Sequence, residues 1–402
     1  MLINNDILKW VEEHNGQKFH AVLCDPPYEL GFMGRSWDKS GIAFSPELWA
    51  GIKKHLYPGA YLMAFGGTRT YHRMACAIED AGFEIRDCIG YCYGSGFPKS
   101  LNIGKAVDKK DGNEREDLGE SENNRDRSKH QYNSVGNVGS NARITKGTSP
   151  FEGYGTALKP AYEPIIIARV PLEGTVAETA MKYGSGGLNI DGSRVGTEDT
   201  RQKTGGAIEG SGWGTKGGAI AGSELGRFPA NLIHDGSDEV KKMFPNESDR
   251  FFFQVQTQID EADPLFYTAK ASKRERNAGL DSFPDIDADD IDVQRGKATA
   301  HNICPTHHIT NCECGWKAGP RKNAHPTLKP ISLTTYLDKL LLPPKEFSPR
   351  RLLVPFAGVA SEMIGGYLAG WDEVVGIERE NEYVEIGEAR IKYWKGKLTK
   401  ND

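Results

Sequence analysis

The sequence predicts an α/β protein built on a mostly parallel sheet with helices on both faces. Short apolar runs of strand length alternate with amphipathic stretches of helix length near both ends of the chain. This alternation is typical of βαβ units. Two of the predicted strands end in an acidic residue next to a turn, at Asp25 and at Glu378. Because ligands of open α/β sheets bind at the carboxyl ends of the strands, we expect a site along that edge.

The first part of the chain keeps this alternation up to residue 169. Residues 108–150 interrupt it, because they are dominated by charged residues, Asn, Ser and Gly, which predicts a flexible surface loop. Apolar spacing and β-branched runs predict, in order, a helix at 7–14, a strand at 20–24, a helix at 46–56, a strand at 57–65, a helix at 72–81 and strands at 83–93 and 161–169.

The middle of the chain, residues 170–300, lacks the alternation and is rich in glycine. We therefore interpret it as a separate region inserted between two halves of one sheet. The alternation returns in the last part, residues 323–402, after a short Cys- and His-containing stretch at 301–322. There the pattern predicts a helix at 330–342, a strand at 351–354, a helix at 362–369, a strand at 373–378 and a helix at 380–393.

Size and composition narrow the class of protein. The 402 residues are enough for one large domain with insertions or for two domains. The cysteines number seven, which argues against a disulfide framework. No apolar run approaches a membrane span and no signal pattern begins the sequence, so we expect a cytoplasmic protein without a membrane partner. The net charge of -5 neither indicates nor excludes nucleic-acid binding, which depends on a local basic face.

Asp25, Pro26, Pro27 and Tyr28 form the most informative short stretch. Cys24 ends the preceding apolar run, and two consecutive prolines cannot continue a strand, so the Asp25 carboxylate projects from the strand end. An amino group on a planar base needs acceptors for its protons and a face for stacking. An acid, a stiff turn and an aromatic ring supply both. The alternative interpretation is a strand-ending turn with an incidental acid.

A second informative stretch, at 351–361, reads as a strand, a tight turn of small residues and a helix start. Its turn contains Pro355, Phe356, Ala357 and Gly358. About 20 residues after the turn, Glu378 places a carboxylate at the end of the next predicted strand, which is how βαβ folds bind an adenosine group. The alternative interpretation is a turn that serves packing alone.

Together these stretches resemble the amino-methylating DNA methyltransferases, in the subgroup whose catalytic motif precedes the cofactor motif, often called the β class. The stretch from Asn323 to Pro330, followed by a predicted helix, is similar to the segment before the cofactor loop of that subgroup. Three more stretches, at 95–102, 158–164 and 227–231, are similar to phage and prophage DNA methylases. The resemblance covers most of the chain outside about 108–150 and 280–300.

The resemblance implies a Rossmann-like fold of the S-adenosylmethionine-dependent methyltransferase kind, in permuted motif order, with 1–169 as its catalytic half. It implies that 170–300 recognises the target and that 323–402 binds the cofactor. It also implies methyl transfer to N6 of an adenine extruded from double-stranded DNA, by a monomer or homodimer. The implied catalytic residues are Asp25, Pro26, Pro27 and Tyr28, and the implied cofactor-binding residues are Cys24, Asp25, Thr327, Lys329, Pro355, Phe356, Ala357, Gly358 and Glu378.

Within this set, the resemblance implies that Phe356 packs beside the adenine of the cofactor and that Glu378 binds its ribose. Thr327 and Lys329 would border its methionine end. The chain departs from the family at the cofactor loop, where Val354 replaces the usual leading Asp and Glu362 stands at the variable end. Alternatives to adenine methylation are cytosine-N4 methylation, methylation of RNA or of a protein amide, and a DNA-binding module without activity.

The stretch 301–322 suggests a structural zinc site. Soft thiolates and imidazoles within eleven residues, in Cys-x2-His and Cys-x-Cys pairs, suit tetrahedral zinc. The alternative is a polar loop with coincidental cysteines. The proposed ligands are Cys304, His307, Cys312 and Cys314, with His301 and His308 as substitutes for His307.

Overall fold

A computed structural model describes residues 1–30, 40–94, 96, 100–120, 143–196, 226–255, 273–284, 322–323, 325 and 328–398. The strands are β1 (Leu2–Asn4), β2 (Phe19–Cys24), β3 (Leu56–Phe65), β4 (Glu84–Cys92), β5 (Glu116–Glu120), β6 (Arg143–Lys146), β7 (Tyr162–Arg169), β8 (Leu232–His234), β9 (Phe253–Gln254), β10 (Arg351–Pro355) and β11 (Glu373–Glu378). The helices are α1 (Ile7–Glu13), α2 (Pro46–Lys54), α3 (Tyr71–Asp80), α4 (Ile103–Asp111), α5 (Val176–Tyr183), α6 (Asp238–Lys241), α7 (Lys273–Asn277), α8 (Ile331–Leu341), α9 (Ser361–Ala369) and α10 (Asn381–Leu398).

A nine-stranded sheet organises the described residues, in the order β1-β11-β10-β2-β3-β7-β4-β8-β9. Neighbouring strands pair in parallel except at β7, which is antiparallel to both β3 and β4. The predicted class, an α/β Rossmann-like fold with a mostly parallel sheet, is therefore confirmed. The predicted strands and helices of both halves are present, with ends that differ by a few residues at most.

The strand order changes direction between β10 and β2, which pair with each other. The chain leaves β2 toward β3 on one side, whereas it leaves β10 toward β11 on the other side. A crevice opens at such a switch point, outside the carboxyl ends of the two strands, because the connections diverge there. Asp25 directly follows β2 and Phe356 directly follows β10, so both stretches singled out in the sequence flank this crevice.

Apolar side chains fill both faces of the sheet. All six residues of β2 are buried, and its side chains alternate between two core clusters. Leu23 packs with Met63 and Leu337 on one face, whereas Val22 packs with Trp49 and neighbouring helices on the other. Burial on both faces explains why this strand appears in the sequence as a continuous apolar run. It also holds the strand end, and hence Asp25, in place.

Structure also exists where the sequence predicted only loop or inserted region. Within 108–150, β5 pairs with β6, and the guanidinium of Arg115 bonds Asp108, Glu152 and the Thr145 carbonyl. These ion pairs connect the described ends of a segment that has few apolar anchors. Within 170–300, β8 and β9 extend the main sheet beyond β4. The division of the chain at 169, 300 and 322 stays a prediction. Among the described residues, no helix has the length and apolar content needed to cross a membrane.

Candidate active site

Asp25 lies at the crevice with one carboxylate oxygen bound and the other not. Its side chain is 15% exposed, and Oδ2 accepts a hydrogen bond from Lys329 Nζ at 2.7 Å. Oδ1 is buried and has no hydrogen-bond partner among the described residues. A buried carboxylate oxygen without a partner is costly, which marks it as a candidate acceptor for a ligand.

Tyr28 is held beside this carboxylate by contacts at both ends. Its carbonyl accepts a hydrogen bond from Thr70 Oγ1 at 2.8 Å, and its hydroxyl accepts one from Lys329 Nζ at 3.0 Å. A Cβ atom on Gly67 would lie 3.1 Å from Cδ2 of the ring, so a larger residue there would press on it. The ring is therefore fixed next to Asp25, as a stacking surface requires.

Glu163, on β7, contacts Lys329 in addition to Asp25 and Tyr28. The sequence analysis did not single it out. Its Oε2 lies 3.5 Å from Lys329 Nζ and accepts a hydrogen bond from the Tyr28 hydroxyl at 3.4 Å. Because β7 is antiparallel to its neighbours, the start of β7 lies at the same edge as the end of β2. The motif at 158–164 contained this residue, but nothing in it predicted the direction of the strand.

The charges of this cluster shift its pKa values. Burial raises the pKa of Asp25, the Lys329 ammonium opposes that rise, and Glu163 adds to it. Burial alone would lower the pKa of Lys329, but the carboxylates of Asp25 and Glu163 outweigh burial and raise it. Lys329 is thus held as a cation between two acids, although its side chain is only 8% exposed.

The turn after β10 is the second part of the site. Phe356, Gly358 and Ala360 all have left-handed backbone, with φ of 58°, 51° and 69°. A Cβ on Gly358 would lie 3.0 Å from Nε2 of His325 and would also be strained at this φ. Oε2 of Glu378 accepts the Gly358 N–H at 2.8 Å, which ties the turn to the end of β11. The turn and the acid at the end of the next strand are thus adjacent, and the bond between them was not predicted.

Glu378 is buried by this arrangement, with 9% of its surface exposed. Its other oxygen, Oε1, accepts the Glu380 N–H at 2.8 Å. Burial raises the pKa of Glu378, whereas the N–H groups of Glu380 and Gly358 oppose the rise. The carboxylate thus accepts N–H groups on both oxygens and can accept a further donor.

A group of buried polar residues lies behind the turn and was not predicted as part of the site. Glu362, 4% exposed, has its pKa raised to about 7 by burial and then by Asp25. Both carboxylate oxygens of Asp338 are buried without a hydrogen-bond partner among the described residues. Arg390 is buried and donates to the carbonyl of Val359 and to Ser361 Oγ.

The structure brings some of the predicted residues together and places others apart. Asp25, Tyr28 and Lys329 form one cluster, and Lys329, which was predicted to border the cofactor, contacts the Asp25 carboxylate. The Cys24 thiol faces the core and donates to the Met63 carbonyl at 3.8 Å, so its predicted cofactor contact can involve only its main chain.

Pro26 is buried and Pro27 is half-buried in the stretch that follows β2, and their catalytic roles stay predictions. The other predicted residues lie as follows. Pro355 ends β10, Ala357 is buried and donates its N–H to the Ile377 carbonyl, and Phe356 packs against a core cluster. Their contacts with a cofactor stay predictions. The residues that lie outside the described part of the chain are Thr327 and the proposed zinc ligands Cys304, His307, Cys312 and Cys314.

Comparisons with known proteins gave structural matches only. No protein-family model and no curated protein matches the chain. Similar solved structures include the M1.HpyAVI–SAM complex, at 11% identity over 97% of this chain and 98% of that one, with a TM-score of 0.40. The PvuII DNA methyltransferase (cytosine-N4-specific) is 10% identical over 100% and 93%, with a TM-score of 0.43. TTHA0409 from Thermus thermophilus, described as a DNA modification methylase, is 12% identical over 98% and 96%, with a TM-score of 0.38.

The second and third of these structures carry names of DNA-methylating enzymes, the class that the sequence motifs resemble. Likeness at this level of identity and TM-score carries no conclusion about the activity or substrate of the chain.

Proposed function

We propose that the protein is a DNA methyltransferase that transfers a methyl group from S-adenosylmethionine to N6 of adenine. The observation that carries the proposal is the unbound, buried Oδ1 of Asp25 at the switch point of the sheet. It lies beside the fixed ring of Tyr28 and next to a left-handed turn tied to Glu378. Acceptor, stacking surface and cofactor turn are the parts that the sequence resemblance implies.

The residues around the turn fit S-adenosylmethionine. When bound, this cofactor supplies an electrophilic methyl group on a sulfonium. The carboxylate of Glu378 suits the hydroxyls of a ribose. The tight approach of Gly358 to its neighbours suits contact between backbone and ligand. The carboxylate of Asp25 at the crevice, 15% exposed, suits a ligand that carries positive charge.

The side chains of the crevice would act on the target base as follows. The adenine leaves the duplex stack, because its amino group is otherwise paired and out of reach. Tyr28 stacks on the extruded ring, and Asp25 Oδ1 and the Pro26 carbonyl accept its amino protons. These bonds orient the nitrogen lone pair toward the methyl donor. The amino group loses one proton as it is methylated, and the Asp25 carboxylate is placed to receive it.

Adenine is favoured over cytosine by the first residue of the catalytic motif. The resemblance associates Asp at this position with adenine N6 and Ser more often with cytosine N4, and Asp25 occupies it here. The predicted double-stranded DNA substrate and the predicted role of 170–300 in recognition belong to the same proposal.

The test is incubation with methyl-labelled S-adenosylmethionine and unmethylated genomic DNA, followed by mass spectrometry of the digested nucleosides. We expect label in N6-methyladenine. Label in N4-methylcytosine would overturn the choice of base while keeping the reaction. No label in any nucleoside would overturn the DNA substrate and direct the search to RNA or protein amides. Absence of cofactor binding by calorimetry, with and without DNA, would overturn the enzymatic function.

A further inference from the structure

The ammonium of Lys329 joins three groups of the crevice that come from distant parts of the chain. It donates to Asp25 Oδ2 at 2.7 Å and to the Tyr28 hydroxyl at 3.0 Å, and lies 3.5 Å from Glu163 Oε2. It also lies 4.7 Å from the centroid of the Phe65 ring. A cation this deeply buried is stable only where acids and aromatic faces replace its water.

This contact makes the two oxygens of Asp25 unequal. A free carboxylate turns readily and can present either oxygen. Here Oδ2 is held by the ammonium, so Oδ1 is left buried and unpartnered among the described residues. The oxygen that would receive the target amino group is therefore selected by Lys329.

Glu163 in turn holds the groups that hold Asp25. Its Oε2 accepts from the Tyr28 hydroxyl at 3.4 Å and lies beside the Lys329 ammonium, and its carboxylate also bonds the Tyr93 hydroxyl. Its side chain is 23% exposed, compared with 15% for Asp25. Glu163 therefore holds both the Lys329 ammonium and the Tyr28 ring. It lies on β7, whereas the cofactor turn follows β10, on the other side of β2 in the strand order.

We propose that Lys329 and Glu163 are positioning residues for methyl transfer. Lys329 fixes Oδ2 of Asp25 so that Oδ1 faces the target amino group, and Glu163 fixes Lys329 and Tyr28. This inference rests on the proposed function, and it assigns Lys329 to the target side of the crevice instead of the methionine end of the cofactor. Neither residue touches the reacting atoms in this arrangement.

The two residues affect the charge of Asp25 in opposite directions. The titratable groups that act on Asp25 or are acted on by it are Lys329, Glu163, Tyr28, Cys24 and Glu362. Of these, Lys329 lowers the pKa of Asp25 and Glu163 raises it, on top of the rise caused by burial.

Transfer requires the ionised carboxylate, so activity falls below the pKa of Asp25. Removing the cation should move this acidic limb to higher pH, and removing the Glu163 charge should move it to lower pH.

The experiment compares the wild type with Lys329→Met, Lys329→Arg, Glu163→Gln and the control Glu84→Gln. Glu84, on β4, pairs with Arg169, on β7, at 2.6 Å. This pair lies at the edge of the sheet opposite to Glu163. The measurements are single-turnover methyl transfer to DNA as a function of pH, the dissociation constants of cofactor and DNA, and thermal unfolding of each variant.

We expect Lys329→Met to lower the transfer rate by about 100-fold, because misplacing a reacting group by about 1 Å has an effect of this size. Its acidic limb should lie at higher pH than that of the wild type. Glu163→Gln should lower the transfer rate by about 10-fold, because one oriented hydrogen bond is lost. Its acidic limb should lie at lower pH than that of the wild type. Lys329→Arg should recover part of the rate, and Glu84→Gln should match the wild type. Cofactor affinity should stay within about threefold, under 1 kcal/mol, in every variant.

The following results would overturn the inference. A loss in Lys329→Met that resides in cofactor affinity, with an unchanged transfer rate, would return Lys329 to the methionine end. Acidic limbs that stay in place, or move in the same direction, would make the cluster a structural ion pair. If Lys329→Met does not fold, the direction of the limb in the isosteric Glu163→Gln variant decides alone. A wild type that binds cofactor but methylates no DNA would instead overturn the proposed function itself.

Discussion

The two edges of the central sheet use charged residues in different ways. At the amino-terminal edge, acids and bases meet in pairs, and these pairs are Arg350–Asp372, Arg351–Glu373 and Arg169–Glu84. Near the carboxyl-terminal edge and in the helices behind it, three acids have their pKa raised by burial. We call this second set the buried acids, and it consists of Asp25, Asp338 and Glu362.

The pKa of Asp372, at the amino-terminal edge, shifts in the opposite direction to the pKa values of the buried acids. Asp372 has its pKa lowered, first by hydrogen bonds from the Arg350 side chain. The buried acids have theirs raised by burial. A lowered pKa means that ionisation favours the folded state, whereas a raised one means that ionisation opposes it. The charge of Asp372 therefore stabilises the fold, whereas ionisation of the buried acids opposes folding.

Substitution of Asp25 should have the largest effect, which we expect on the rate of methyl transfer. Asp25→Ala removes the acceptor of the target amino protons, so we expect the rate of transfer to fall by about 10³-fold or more. The isosteric Asp25→Asn should lose activity as well, because an amide cannot receive the proton. Single-turnover transfer of labelled methyl groups measures both, with calorimetry to show that the cofactor still binds. Full activity in either variant would remove Asp25 from catalysis.

Substitution of Arg350 should have the next largest effect, and on stability. Its side chain is 11% exposed, and its guanidinium bonds Asp372 and the Gly370 carbonyl. Arg350→Ala should lower the free energy of unfolding by about 3 kcal/mol at neutral pH, while the folded variant keeps its transfer rate. The control Arg379→Ala breaks an exposed pair with Glu380 and should change stability by less than about 1 kcal/mol.

The pH dependence of this effect has a definite sign. Because the pKa of Asp372 is lowered on folding, the stability that its charge contributes is complete above the ordinary carboxyl pKa of about 4 and is lost as the pH falls below it. The destabilisation by Arg350→Ala, measured by denaturant titration, should therefore shrink below about pH 4. Equal destabilisation by Arg350→Ala and Arg379→Ala would contradict the distinction between buried and exposed pairs.

The sequence predicted the elements of the two edges better than the contacts between them. Strand β2 and the acid that follows it were predictable, because a buried strand and two prolines are local signals. The bond between Lys329 and Asp25 joins residues 304 positions apart, and that between Tyr28 and Glu163 joins residues 135 apart. No local pattern encodes such contacts. They depend on the order of the strands and on the reversed direction of β7.

The turn after β10 shows the same division. Its small residues and the spacing to Glu378 predicted a turn and an acid at the end of the next strand, whereas the bond between the Gly358 N–H and Glu378 was not predicted. Glu362 was noticed only as a departure from the family. Its burial next to Asp338 and Arg390 follows from how α8, α9 and α10 pack, which periodicity does not determine.

Substitution of Asp338 should have the smallest effect, and it should raise the free energy of unfolding, whereas Arg350→Ala lowers it. Its side chain is 0% exposed, and burial, followed by the charge of Glu362, raises its pKa well above the usual value. A raised pKa means that stability is complete below the carboxyl pKa of the unfolded chain, near 4, and is lost as the pH rises.

Asp338→Asn keeps the shape without the charge, so we expect it to raise the free energy of unfolding by about 1–2 kcal/mol at pH 8 and by little at about pH 4. The exposed Glu346→Gln is the matched control and should change stability at neither pH. Denaturant titration at the two pH values makes the comparison. A loss of stability at pH 8 would mean that Asp338 is held by a favourable partner. The buried acids would then be paired in the same way as the charges of the amino-terminal edge.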